Sequence, residues 1–558
     1  MKRFADLYMR LDATTGSNAK LEAMQAYFRD ADPADAAWAV YFLAGGRPRQ
    51  LVATKTLRRL ALEASGYPEW LLEESYQAVG DLAETVALLL PSVEDAQDIG
   101  LAEWLEDRLL PLRGLEPDVA IERLQPWLTA LDRPTQLVCI KLITGSFRIG
   151  VSKLLVTRAL SALCGLDAKT IAQRLVGYTD LSARPVANTY LRLIAVGDAS
   201  GCNRSELLDP GHPYPFFLAH PLQLPVEAFD AQIGPPSDFQ IEWKYDGIRA
   251  QIVKREGKLW VWSRGEELVT ERFPELASLA AHLPYGTVID GEIVAWKDDR
   301  VQPFALLQQR IGRKTLSAPL LAKAPVAMIA YDVLEAGGND RRRQSQSVRR
   351  AELERIVAAC AQPQLRVSPL LAGTTWSDFA AKHSTARSLG VEGLMLKARD
   401  SRYGVGRTKE SGIWWKWKID PYTVDAVLIY AQRGHGRRAS LYTDFTFALW
   451  DGPRGAEGRA LVPFAKAYSG LTDAEMRRVD AIVRQSTVEK FGPVRSVTPT
   501  LVFELGFEGI QKSGRHRSGI AVRFPRILRW RTDKTIEEAD TIETLRAWVD
   551  DAEPALSP

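Results

Sequence analysis

Glu242-Trp-Lys-Tyr-Asp-Gly-Ile-Arg249 closes an apolar run on a single lysine and turns at once through Asp-Gly. Residues two apart on a strand share a face, so Glu242 and Lys244 project together while Trp243 packs behind them. Asp246-Gly247 supplies a tight turn. Ile248 to Val253 then reads as a second strand that brings Arg249 back to the same place. Taken alone the stretch also fits an ordinary hairpin with a solvated lysine, and only its companions separate the two readings.

Those companions follow in a fixed order. Ser263-Arg264-Gly265-Glu266 ends the strand Leu259 to Trp262, and Asp290-Gly291-Glu292 lies within the apolar stretch 288–296. Tyr331-Asp332 follows the apolar run 326–330, and Glu392 to Lys397, Trp414 to Lys418 and Arg523 to Lys534 complete the series. The ordered set resembles the covalent nucleotidyltransferase superfamily of DNA ligases, RNA ligases and mRNA capping enzymes. With the long chain in front of it, the whole is similar to an ATP-dependent DNA ligase of the bacterial type with an N-terminal helical DNA-binding domain. That resemblance covers nearly all of the chain.

A chain of 558 residues exceeds what one core supports, so several domains are expected. With 46% hydrophobic and 25% charged residues the composition is that of an ordinary soluble protein. A net charge of +3 excludes a uniformly basic protein but leaves room for local basic surfaces. From Phe507 to Lys534, eight Lys/Arg stand against two acids, Glu508 and Asp533, and the arginines recur among apolar residues instead of forming a tail. Cys139, Cys164, Cys202 and Cys360 are far apart with no CxxC pair, which suggests neither a zinc site nor a disulfide framework. The first residues carry no apolar signal segment and no apolar run approaches 18 residues. A cytoplasmic protein with no membrane contact, and a monomer, is the expectation.

The pattern predicts an all-α domain over 1–205, an α+β nucleotidyltransferase (adenylation) domain over 206–420 and a C-terminal OB-fold β-barrel over 421–558. Leu101 to Leu109 places apolar residues on one helical face, and Ser152 is a plausible N-cap for the helix after it. Lys141 to Val151 is a glycine-punctuated basic turn between helices, a phosphate seat that makes Lys141 and Arg148 candidate DNA contacts. Prolines 210, 213, 215, 221 and 225 mark a linker, residues 337–347 an exposed loop, and Val348 to Cys360 a surface helix. Asp420-Pro421 is the hinge candidate, with Arg433, Arg437 and Arg517 as further DNA contacts on the C-terminal domain.

The resemblance implies roles for residues that match its motifs. Lys244 would be the nucleophile that takes AMP from ATP, a covalent route that splits a difficult phosphoryl transfer in two. Neighbouring cations and partial burial behind Trp243 are the means of presenting its amine neutral. Lys416 and Lys418 share one strand face while Trp415 and Trp417 pack behind, and both would contact the α-phosphate. Glu292 and Glu392 resemble the acids that hold ribose and a divalent metal, Mg²⁺ with Mn²⁺ as a substitute. Tyr331 would stack on adenine, with Glu242 beside the purine edge. Arg249 and Arg264 would reach ribose, phosphates or the nick. Arg407, with Lys409 in reserve, matches an arginine shortly before the Trp-Lys motif, although the spacing here is longer. Arg523, Arg526, Asp533 and Lys534 would orient pyrophosphate. Lys397 falls at an odd offset from Glu392, which on a regular strand would point it to the opposite face.

Three alternatives remain at this point. An RNA ligase or a guanylyl-transferring capping enzyme would share the core chemistry but have less use for the helical domain. A catalytically silent nucleic-acid-binding protein would lack the nucleophile or the acids, and here all of those residue types are present.

Overall fold

The computed structural model describes all residues except 49, 95, 146, 148, 180–183, 197–209, 312, 314–315, 435–440, 469, 493 and 553–558. Arg148, Arg437, Cys202 and the expected boundary at 205 therefore lie outside the described residues. No helix among those described is long and apolar enough to cross a membrane.

Residues 2–194 fold as helices around one core in which Phe4, Trp38, Phe42, Leu57, Trp104 and Leu142 are buried. Leu101, Trp104, Leu105 and Leu109 are all buried on one face, although the helix widens to π geometry over Trp104–Leu109. Ser152 caps the helix Lys153–Cys164 by accepting from the Leu155 amide. The glycine-punctuated turn is fixed from beneath: Lys20 Nζ donates to the carbonyls of Ile149 (2.5 Å) and Gly150 (3.2 Å).

Two mainly antiparallel sheets, each with one short parallel edge pairing, make the central domain. The first contains β1 (Phe239–Tyr245), β6 (Val391–Ala398) and β7 (Trp414–Lys418) in the order β1-β6-β7. The second runs β3-β2-β4-β5, from β2 (Ile248–Arg255), β3 (Lys258–Ser263), β4 (Thr287–Lys297) and β5 (Val326–Ala336). β1 pairs with β6 and β2 with β3 and β4, so Asp246-Gly247 is a corner between sheets and not a hairpin turn.

Alternation along β1 sends Phe239, Ile241 and Trp243 into an apolar cluster with Leu394, Leu396 and Trp417. Gln240, Glu242 and Lys244 take the other face. A second cluster, with Tyr214, Phe217, Val253, Val288 and Trp414, fills the seam between the sheets. The proline-rich segment expected as a linker is thus partly core: Tyr214 exchanges two 2.8 Å hydrogen bonds with Gln251 and donates from its hydroxyl to Glu335. The helix Gln346–Cys360, expected at the surface, exposes Val348, Ala351, Glu354, Arg355, Ala358 and Ala359 on one face and packs the other inward. It buries Leu353 and Ile356 against the second sheet, with Arg349 and Arg350 also buried.

Only residues 419–421 separate β7 from β8 (Tyr422–Arg433). In the C-terminal domain β8 is shared: it pairs with β9 (Tyr442–Trp450), with β12 (Val494–Val497) at its far end and with β13 (Val502–Phe507) at its start. β10 (Leu461–Ala467) adds to β9, β11 (Thr487–Phe491) to β12, and β16 (Arg526–Trp530) to β13. The expected OB-type β-rich domain is present, as sheets that do not close into a barrel. Among the described residues the edges β10 and β16 do not pair, and β14 (Gly509–Lys512) with β15 (Ile520–Arg523) forms a separate hairpin. The result is an open half-barrel.

Lys141 is corrected as a DNA contact. It is 4% exposed, and its Nζ donates to Asp81 (2.7 Å) and Glu84 (3.4 Å) across the packed helices Leu82–Leu89 and Arg133–Thr144. A buried ammonium already paired with two carboxylates is not available to a phosphate. Lys141→Met is expected to cost about 2 kcal/mol of stability in chemical denaturation. The salt dependence of its DNA binding should stay unchanged, and a shallower slope would return Lys141 to the DNA surface.

Candidate active site

The corner at Gly247 sets the site. A Cβ on Gly247 would lie 2.3 Å from the Ile293 carbonyl oxygen and 2.9 Å from Glu292 Cγ, so only glycine lets the chain pass this close to β4. This brings Lys244, at the end of one sheet, beside Glu292 on the other. β6 contributes Glu392 through a bulge: its register to β1 shifts between Val391 and Leu394, with Gly393 at φ +128°. The bulge also absorbs the odd offset that made Lys397 doubtful, so Glu392 and Lys397 both reach the β1 side chains.

Lys244 is ion-paired with Glu392, and Lys418 stands 3.4 Å from the same carboxylate. Lys418 continues to Glu508 (3.0 Å), which in turn accepts from Arg526 (3.4 Å). On the other side of the corner, Arg523 Nη1 donates to both oxygens of Asp246, at 2.6 and 2.5 Å. The C-terminal domain is therefore docked over the lysine by alternating charges. Burial works against ionisation of Glu392, but Lys244, Lys418 and Arg523 together hold it below the usual carboxylate range. Burial pushes Glu292 up to about 8 despite Lys244 and Arg249, and Glu392 adds to the rise. Burial followed by the charges of Lys418, Arg407, Lys244 and Arg264 lowers Lys416, which marks those five cations as one electrostatic group.

The charge of Glu392 raises the pKa of both Glu292 and Asp246, yet among the described residues no group of three His, Cys, Asp or Glu is placed to hold a metal ion, so these side chains offer single carboxylates and not a preformed cage. Mg²⁺ prefers one or two carboxylates together with phosphate oxygens and retained waters.

Deeper in the seam, Glu242 is 1% exposed and held from both sides: Arg350 donates to Oε1 (2.6 Å) and Lys397 to Oε2 (2.7 Å). Lys397 Nζ also lies 4.2 Å from the centre of the Tyr331 ring. Burial raises the Glu242 carboxyl and lowers the Lys397 amine. Asp332, next to Tyr331, makes a two-point bond with buried Arg349 (2.8 and 2.9 Å). Arg249 has no idle nitrogen. It grips Asp290 (3.2 and 2.7 Å), the Phe217 carbonyl (2.6 Å) and the Tyr403 hydroxyl (3.3 Å), with Tyr331 and Trp414 within 5.8 Å of its Cζ.

Most of the sequence-derived residues thus converge: Lys244, Glu242, Glu292, Glu392, Tyr331, Lys416, Lys418, Arg249 and Arg523, with Arg264 and Arg407 exposed at the rim. Lys409 lies 5.5 Å over the Trp415 ring. Asp533 and Lys534 do not join them. Arg531 grips Asp533 (2.7 Å) and Asp425 (2.8 Å), and Lys534 pairs with Asp425, which ties the end of β16 to the start of β8. Sequence reasoning missed Arg350, whose partner Glu242 lies 108 positions away, counted Glu508 only as an acid among arginines, and treated Asp246 only as a turn residue.

Among the described residues, polar contacts join the N-terminal domain to both of the others. Lys153 pairs with Glu266, next to Arg264. Arg433, expected on DNA, donates instead to the Gln77 (3.0 Å) and Ala78 (3.4 Å) carbonyls in the last turn of the helix Glu69–Val79, and Arg495 reaches the Gln77 side chain (3.4 Å). Arg517 is exposed on the β14–β15 hairpin.

Three family profiles match the chain in order: "DNA ligase N terminus" over residues 1–161, "ATP dependent DNA ligase domain" over 217–418 and "ATP dependent DNA ligase C terminal region" over 438–534. A probable DNA ligase of Koribacter versatilis is 32% identical over 97% of this chain and 95% of its own length. Another, from Opitutus terrae, is 33% identical over 93% of this chain, which spans 54% of that longer relative. The solved structure named Pmar-Lig_PreS3 covers 95% of this chain and 99% of its own with a TM-score of 0.60 at 15% identity, a likeness of fold alone.

Replacing Arg433 and Arg495 together by alanine removes the clasp between the first and last domains. Small-angle scattering of the DNA-free protein is expected to show a larger radius of gyration. An unchanged radius would mean that these two side chains do not hold the domains together.

Proposed function

Since the chain belongs to the ATP-dependent DNA ligases, we propose that it seals nicks in duplex DNA through AMP carried covalently on Lys244. The observation that supports this best is the corner itself: one lysine with the cations Lys416, Lys418, Arg264 and Arg407 and the acids Glu292, Glu392 and Asp246 gathered about it. A nucleotide triphosphate needs that combination of a nucleophilic amine, cations for its phosphates and acids for its counter-ion.

In the first step Lys244 Nζ attacks the α-phosphorus and pyrophosphate leaves. In the second, AMP passes to the 5′-phosphate at the nick, and in the third the adjacent 3′-hydroxyl displaces AMP to form the phosphodiester. Lys416 and Lys418 neutralise the α-phosphate, and Tyr331, steadied by Lys397 and Arg249, stacks on adenine. Glu242, clamped by Arg350 and Lys397, lies at the purine edge. Glu292 and Glu392 would hold Mg²⁺, whose charge would offset that of the triphosphate.

The C-terminal domain is docked here in the arrangement suited to the first step, with Arg523 over Asp246. For the later steps it swings away about Asp420-Pro421, a closure of the hinge type, and Arg517 then meets DNA. The N-terminal helices are read as the other half of the DNA clamp, which disfavours an RNA ligase or capping enzyme. We read the protein as a cytoplasmic monomer.

Sealing assays on a nicked duplex test this reading. The protein should seal a 5′-phosphate nick with ATP and not with GTP, and Lys244→Ala should abolish sealing from ATP. Preference for GTP, or sealing by the alanine variant, would refute it.

A further inference from the structure

Arg523 crosses from the C-terminal domain, and its guanidinium is held from more than one direction. Nη1 is spent on Asp246. Its Cζ lies 4.1 Å from the centre of the Phe304 ring, which belongs to the central domain, and 5.0 Å from Phe524. Nε and Nη2 have no hydrogen-bond partner among the described residues, so one edge of the fork remains available to oxygens.

The Phe304 ring is anchored through its helix, whereas the Phe524 ring is 61% exposed. Phe304 begins the helix Phe304–Ile311, whose far end is anchored by buried Arg310 bonding to Glu275 (2.7 Å) and to the carbonyls of Arg272 (2.8 Å) and Ala324 (3.0 Å). Leu307 of the same helix is fully buried. Phe524 sits at φ +53°, a left-handed conformation that bulky side chains rarely adopt, directly after Arg523 and before Pro525. A guanidinium pairs well with an aromatic face and keeps its edge donors free while stacked.

We propose that Phe304 is a positioning residue for adenylation: it orients the guanidinium of Arg523 so that its free edge meets the departing pyrophosphate. In that step an N–P bond forms between Lys244 Nζ and the α-phosphorus. The bond from the α-phosphorus to the bridging oxygen breaks with its electron pair on pyrophosphate, and the amine proton goes to solvent. Charge grows on pyrophosphate as it leaves, which is where a pre-oriented fork is most effective. Phe304 touches neither reacting atom and would act only while the C-terminal domain is docked. The inference rests on the ligase reading above.

The test uses the full chain and compares Phe304→Leu, Phe304→Trp and Arg523→Ala. Single-turnover adenylation is followed at increasing ATP, and sealing of a pre-adenylated nick is followed separately. Phe304→Leu is expected to slow maximal adenylation about tenfold and leave sealing of the pre-adenylated nick within about twofold, with Phe304→Trp restoring the first step. Unchanged adenylation in Phe304→Leu, equal loss in both assays, or no rescue by tryptophan would overturn the role of Phe304. If Arg523→Ala also adenylates normally, the reading of Arg523 itself fails. If Arg523→Ala is slow while Phe304→Leu is not, only the inference about Phe304 fails.

Discussion

The chain passes from one antiparallel sheet to the other at Asp246-Gly247, so close beneath β4 that no side chain fits at position 247. That close approach puts Lys244 on the last residues of one sheet and Glu292 on the facing strand of the other. It also leaves Asp246 at the lip, where a group from another domain can reach it. Had the turn been the hairpin it resembles, Lys244 would have paired with the strand carrying Arg249 and faced solvent. The nucleophile's surroundings thus follow from a packing constraint before they follow from charge.

Charge then decides how the domains meet. Around Lys244 the side chains alternate in sign, from Arg526 through Glu508, Lys418 and Glu392 to the lysine, with Arg523 and Asp246 alongside. Such a string holds two domains together while its members have only each other as partners. On the proposed function, the phosphates of a bound nucleotide would compete for Lys418 and Arg523, and a divalent cation would compete for Glu392. The same residues that would carry out the transfer are therefore the ones that hold the C-terminal domain in place, so on this reading their occupancy would couple chemistry to domain movement.

Much of this was legible in the chain. The alternation of Glu242 and Lys244 about Trp243, and of Lys416 and Lys418 about the tryptophans, translated directly into side chains sharing a face, because a strand has a period of two. Where the period broke, the reading broke with it. Lys397 looked misdirected because the bulge at Gly393 cannot be counted from spacing alone. Lys141 looked like a surface cation because its helix is basic at that end, whereas its partners Asp81 and Glu84 lie about sixty positions earlier. Arg350 gave no signal at all, since its role is fixed by Glu242, 108 positions away. That the β-rich C-terminal domain stays an open half-barrel was not legible, because strand patterning reports faces and not which edges meet. Arg148 and Arg437 stay as sequence expectations.

The central claim is that the amine of Lys244 becomes bonded to AMP. Mass spectrometry of the protein after exposure to ATP and Mg²⁺, followed by peptide mapping, addresses it most directly. A single adenylate on the peptide containing Lys244, released on addition of pyrophosphate, is the expected result. An adenylate on any other side chain, or none, would contradict the account.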